Sequence, residues 1–84
     1  MFYVYILQSL KDGSYYVGQT KNVVNRLERH NSRRQVATRS KVPWELVYTE
    51  PFDTRSQAVR RELEIKSWKS HQAIKEFLNN NAGA

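Results

Sequence analysis

Residues 2–7, Phe2-Tyr3-Val4-Tyr5-Ile6-Leu7, are apolar or aromatic at every position. A run without period-two alternation predicts a strand covered on both faces, hence the centre of a sheet. Leu10-Lys11-Asp12-Gly13-Ser14 carries an Asp-Gly turn signal, and Tyr15-Tyr16-Val17-Gly18 reads as the returning strand of a hairpin. Gly18 closes that strand, where a glycine permits a sharp turn or the close approach of a ligand. Asn22 is placed to cap a helix running to about Arg33, with Val23, Val24 and Leu27 as its buried stripe. Residues 32–42 show no periodicity and read as a loop.

Pro43 and Pro51 bracket a third strand, residues 44–50, in which Trp44, Leu46 and Tyr48 alternate with Glu45, Val47 and Thr49. Thr54 and Gln57 form a capping-box signature for a helix reaching about Lys69. Ser70 opens a last short helix with Ala73, Ile74, Phe77 and Leu78 as its apolar face, and residues 79–84 are expected to fray. The order β-β-α-β-α-α predicts one α+β domain over residues 1–84, a three-stranded mixed or antiparallel sheet flanked by helices. Such a sandwich names no activity by itself.

Composition narrows the choice. With 39 % hydrophobic and 26 % charged residues, the chain is neither a disordered tail nor a low-complexity linker. It has no cysteine and only two histidines, His30 and His71, which removes disulfides, thiolate zinc sites and cysteine nucleophiles. Its longest apolar stretch is too short to span a bilayer, and the expected setting is the reducing cytoplasm with no membrane partner. The net charge of +6 is concentrated. Between residues 21 and 41, seven basic side chains (Lys21, Arg26, Arg29, Arg33, Arg34, Arg39, Lys41) face one acid, Glu28, whereas elsewhere seven face seven. A localised positive field favours polyanions, and five of the seven are arginines suited to bidentate phosphate contact. A basic surface without a partner is the plainer alternative.

Three polar features fit a purely structural account poorly. Arg26 and His30, four residues apart, border the Val23–Leu27 stripe rather than the solvated back of their helix. Taken alone, that pair is best read as an arginine folded over the core edge and a histidine completing the stripe. Glu62, four residues after Ala58 and three before Ile65, falls on the inward face of its helix. An unpaired charge there would cost several kcal/mol. An ion pair with Lys66 would remove the problem, and a metal or an arginine cluster would give the carboxylate a use. Tyr5 and Tyr16 lie on neighbouring strands, where aromatic pairs usually pack. Together these groups are an inventory for phosphodiester hydrolysis: a base for water, cations for developing phosphorane charge, and a carboxylate for a metal.

The order of these residues resembles the GIY-YIG endonuclease superfamily. Tyr3-Val4-Tyr5, followed after ten residues by Tyr16-Val17-Gly18, is similar to the paired tripeptides of that superfamily. Arg26, the His30-Asn31 pair, Pro43-Trp44-Glu45-Leu46-Val47-Tyr48 and the stretch around Glu62 continue the likeness over nearly the whole chain, as in a small stand-alone member of its uncharacterised bacterial group. The resemblance implies a nuclease that cuts one strand with a single Mg²⁺ or Mn²⁺ ion. Tyr5 and Tyr16 would be the active-site tyrosines, Arg26 would stabilise the transition-state phosphate, and His30 would assist proton transfer or hold phosphate. Glu62 would be the sole carboxylate on the metal. Tyr3 replaces the first glycine of the motif, and Gln19 stands where several members carry a lysine.

The expectation is therefore a metal-dependent DNA endonuclease, structure-selective or weakly specific, acting in repair or recombination, with RNA left open as a substrate. Gly18, Gln19, Arg29, Arg33, Arg34, Arg39 and Lys41 are the expected nucleic-acid contacts. Specificity would come from the basic loop, a homodimer or a partner protein. The alternative is a non-catalytic nucleic-acid-binding module on the same fold, which Gln19 favours and the inward Glu62 disfavours.

Overall fold

The computed structural model describes residues 1–81. The apolar run becomes β1 (Phe2–Ser9), which pairs antiparallel on one side with β2 (Tyr15–Thr20) and on the other with β3 (Trp44–Phe52). The strand order β2-β1-β3 puts β1 in the middle. Its residues alternate between two cores, which is why the run carries no polar position. Val4 and Ile6 join Val17, Ala58, Ile65 and Leu78 on one face, while Tyr5 and Leu7 join Trp44 on the other. The hairpin turn before β2 places Gly13 at φ +79°, a conformation glycine adopts at little cost.

On the Tyr5 face lies α1 (Val23–Asn31), capped as expected by Asn22, whose side chain accepts from the Asn25 N–H. It stops earlier than the sequence suggested, because Ser32 leaves the helix and Arg33 turns left-handed at φ +66°. Val23 and Leu27 pack inward, but Val24 is 77 % exposed, so the expected stripe is narrower by one residue. The basic loop follows and contains a short 3-10 turn, Arg39–Lys41.

The other face is covered by α2 (Arg55–Lys66) and α3 (His71–Asn81). Thr54 and Gln57 make the full reciprocal capping box, and the Ser70 hydroxyl accepts from the Ala73 N–H. The second helix ends at Lys66, three residues short of the expectation, with Lys69 at φ +49°. The third helix runs through residues 79–81, where fraying was expected. The rest of that stretch, residues 82–84, lies outside the described residues.

Two features of the third strand depart from expectation. Ile6 pairs with Tyr48 and Leu7 with Leu46, leaving Val47 as the extra residue of a β-bulge. The bulge breaks the alternation: Trp44 is buried with Tyr5 and Leu7, while Tyr48 packs on the opposite core beside Ile6. The strand also continues through Pro51, tolerated because β3 is an edge strand.

Candidate active site

Four parts of the chain meet on the α1 side of the sheet. Central β1 presents Tyr5, and the paired strand β2 presents Tyr16, with ring centroids 6.4 Å apart. From α1, His30 brings its imidazole against both rings. It is fully buried, its Nε2 shares a 3.0 Å hydrogen bond with Tyr5 Oη, and its ring lies 4.8 Å from that of Tyr16. One helical turn earlier, Arg26 stands beside Tyr5, close enough for its guanidinium to favour the phenolate. The carboxylate of Glu62, on α2, acts on the same phenol in the opposite sense.

Since α2 packs on the far face, its Glu62–Lys66 flank must reach round edge strand β2. Lys66 Nζ lies 5.9 Å from the Tyr16 ring centroid and 2.6 Å from Glu62 Oε2. The ion pair weighed for Glu62 is therefore present, and it sits within the cluster rather than out in solvent. Glu62 is inward, its side chain 17 % exposed.

Burial, then the charges of Tyr16 and Glu62, push Tyr5 far above the ordinary phenol range, and Arg26 only partly offsets them. Burial, then the neighbouring charges of Arg26 and Arg29, hold His30 below its usual value. Both groups are neutral at pH 7. Tyr16 is only half-buried and is the more accessible of the two phenols.

Gly18 is not a strand end. It sits inside β2 opposite Tyr5, and a Cβ built on it would lie 2.5 Å from Tyr5 Oη and 2.6 Å from Cζ. The close approach is made by the Tyr5 ring itself, so the buried Gly18 offers no surface to nucleic acid. Gln19 pairs with Val4 and so faces the α2 layer, with its Oε1 enclosed and without a partner. It does not stand among the loop arginines. Arg29, Arg33, Arg34 and Arg39 are exposed, while Lys41 makes a 3.6 Å ion pair with Asp12.

Two contributors escaped the sequence reading. Thr38, buried within the basic loop, places its Oγ1 2.8 Å from His30 Nδ1. Asn31 clamps the backbone of Trp44, donating from Nδ2 to its carbonyl at 3.0 Å and accepting from its N–H at 2.6 Å. Only the His-Asn pair in the family likeness hinted at Asn31, and nothing in the loop's pattern marked Thr38.

Among the described residues, no three His, Cys, Asp or Glu side chains gather as a cage for a metal. The single carboxylate of Glu62 still fits a hard cation that keeps most of its waters. One of its oxygens is held by Lys66, and Oε1 makes no protein hydrogen bond among the described residues. A separate cleft of about 440 Å³, lined by residues that include Phe52, Arg60, Arg61 and Glu64, contains none of the five convergent side chains.

Two strand tyrosines, a helical arginine and histidine, and a glutamate from the next helix thus gather in one cluster, on the fold and in the order that the sequence likeness to the GIY-YIG superfamily led us to expect. The family model described as the GIY-YIG catalytic domain matches residues 1–75, and the chain belongs to that nuclease family. Within the family it is similar to proteins designated UPF0213. It is 40 % identical over 74 residues to UPF0213 protein SSP2268 of Staphylococcus saprophyticus, covering 87 % of this chain and 89 % of that one. It is 43 % identical over 74 residues, with the same coverage, to UPF0213 protein SH2523 of Staphylococcus haemolyticus. The solution NMR structure of UPF0213 protein BH0048 from Bacillus halodurans superposes with a TM-score of 0.58 at 37 % identity, covering 94 % of this chain and 84 % of that one. No helix among the described residues is long and apolar enough to cross a membrane.

Proposed function

We propose that this chain is a divalent-metal-dependent endonuclease that hydrolyses a phosphodiester bond in DNA, structure-selective or weakly specific. The observation that carries the reading is the convergence of Tyr5, Tyr16, Arg26, His30 and Glu62 from four elements onto one site. A structural role explains each residue singly, but a carboxylate, a guanidinium and two phenols packed around a neutral imidazole form a costly core unless they act on a substrate.

We assign the two tyrosines different roles, on the difference in their burial. Tyr5 is 1 % exposed and its proton is strongly held, so it serves as a neutral hydrogen-bond donor. Tyr16 is accessible and faces the attacking water. A phenol takes a proton only as phenolate, so the role requires cations nearby, and the Lys66 ammonium supplies one. With Tyr16 as phenolate, the water oxygen bonds to phosphorus and its proton passes to Tyr16; the ester bond breaks, and the leaving oxygen keeps the bonding pair and takes a proton from solvent. Arg26 is placed to neutralise charge on the non-bridging oxygens as that happens. Glu62 would hold one Mg²⁺ or Mn²⁺ ion, whose chemistry is to offset charge on the scissile phosphate and the leaving oxygen. The exposed arginines 29, 33, 34 and 39 would track the phosphate backbone. The cysteine-free sequence suits a cytoplasmic setting, and repair or recombination is the process we favour.

A binding module without catalysis is the second reading, favoured by Gln19, whose enclosed amide brings no charge to the site. Incubation with nicked, flapped, branched and single-stranded DNA in Mg²⁺ or Mn²⁺ separates the two. Cleavage is expected from the native chain and should fall by roughly 10²–10³ in Glu62→Ala and in Arg26→Ala. Binding without cleavage would establish the module instead, and cleavage surviving both substitutions would mark a contaminant and end the enzyme reading.

A further inference from the structure

We infer that Thr38 is a positioning residue that selects the tautomer of His30, keeping the proton on Nδ1 so that Nε2 remains free to accept from Tyr5. Tyr5 Oη is enclosed, and the hydrogen on a buried hydroxyl needs an acceptor. The partner in reach is His30 Nε2 at 3.0 Å, whereas the neighbouring Arg26 can only donate. Nε2 must therefore present its lone pair. A neutral imidazole with an unprotonated Nε2 carries its proton on Nδ1, and that N–H points at Thr38 Oγ1 at 2.8 Å. With the tautomer reversed, Nε2–H would donate to Tyr5 Oη and the Tyr5 hydrogen would lose its acceptor, while the Thr38 hydroxyl would have to turn and donate to Nδ1.

The threonine is itself held still. Its carbonyl accepts from the Trp44 indole N–H at 2.9 Å, and the Trp44 backbone is clamped by Asn31, the residue next to His30. The chain of contacts thus runs from α1 through β3 and the loop and back to α1. Thr38 is the one residue of the basic segment 32–41 that is buried, while its neighbours Arg33, Arg34 and Arg39 are exposed. The loop whose arginines face a polyanion is anchored through this single hydroxyl to the imidazole that orients Tyr5. The catalytic consequence rests on the function proposed above, but the tautomer does not.

The experiment is long-range ¹H–¹⁵N correlation of the histidine rings at pH 7.5, with His71→Gln to assign the only other histidine. Native protein and Thr38→Ser should both show His30 Nδ1 protonated and Nε2 unprotonated. Thr38→Val, which keeps the shape and removes the hydroxyl, should shift both resonances toward the opposite tautomer or an average. Cleavage rate should fall about tenfold or more in Thr38→Val with KM little changed, the scale for losing an orienting group, and recover in Thr38→Ser. A protonated Nε2 in the native protein overturns the inference, whether or not Thr38→Val folds. So does a folded Thr38→Val that keeps the native tautomer. If the native chain cleaves nothing, the nuclease reading fails, while the ring spectra still decide this one.

Discussion

Replacing Gly18 by alanine should destabilise the protein, although alanine in place of glycine ordinarily does the reverse. Where the backbone accepts it, the change stabilises by about 0.4–1 kcal/mol through the unfolded chain. Here the added methyl would sit 2.5 Å from Tyr5 Oη, 2.6 Å from Cζ and 3.0 Å from Cε1. Carbon atoms rest at roughly 3.5–4.0 Å, so the ring must retreat by about 1 Å. It has little room, being 1 % exposed and tied to His30. Overpacking of this kind costs about 1–3 kcal/mol, a large share of the total for a domain of this size. Urea denaturation should show a lower midpoint with an unchanged slope. In the nuclease proposed above, a displacement of that size at Tyr5 should also lower turnover on the order of 10²-fold. Tyr5→Phe in the Gly18→Ala background should restore part of the stability, because it removes the shortest contact but leaves the one to Cζ. A Gly18→Ala protein as stable as the native one, or a double variant with no coupling, would refute the packing argument.

Two further outcomes follow from charge. His30 has a folded pKa held below its ordinary 6.5, so the unfolded chain binds the proton more readily. Its contribution to stability is complete above pH 6.5, declines as the pH falls below that value, and levels off once the folded pKa is passed; urea midpoints from pH 8 to 5 should trace this, and His30→Gln should flatten that part of the curve. Neutralising Arg33, Arg34 and Arg39 together should weaken DNA retention and make log K against log salt shallower by roughly 0.9 for each duplex phosphate that is no longer neutralised, whereas an unchanged slope would move the DNA-binding surface away from the loop.

Local rules carried the reading a long way where the signal was itself local. The Asp12-Gly13 turn, the Asn22 cap and the Thr54/Gln57 box depend on residues a few positions apart, and each formed. The inward direction of Glu62 was also legible, because helical spacing from Ala58 and Ile65 fixes the side of the helix. The misses share a different cause. The Val47 bulge arises from registering β3 against β1, and no glycine or proline announces it. Val24 has the right residue type for the core, but Val23 and Leu27 already fill the α1 contact. The role of Gly18 depends on a ring thirteen residues away in sequence. Thr38 was invisible for the same reason: its partner is an imidazole brought to it by the turn of the chain after α1.

Tyr5 belongs to the strand with a neighbour on either side, between two layers of apolar side chains. Its amide is expected to meet solvent deuterium only when the whole domain opens, whereas the exposed backbone around Arg33 and Arg34, on the near side of the buried Thr38, opens at smaller cost. The molecule therefore couples a slow-exchanging anvil to a fast-exchanging strap. Because Thr38 of that strap holds His30 Nδ1, any opening that reaches the middle of the strap would also unseat the imidazole bonded to Tyr5.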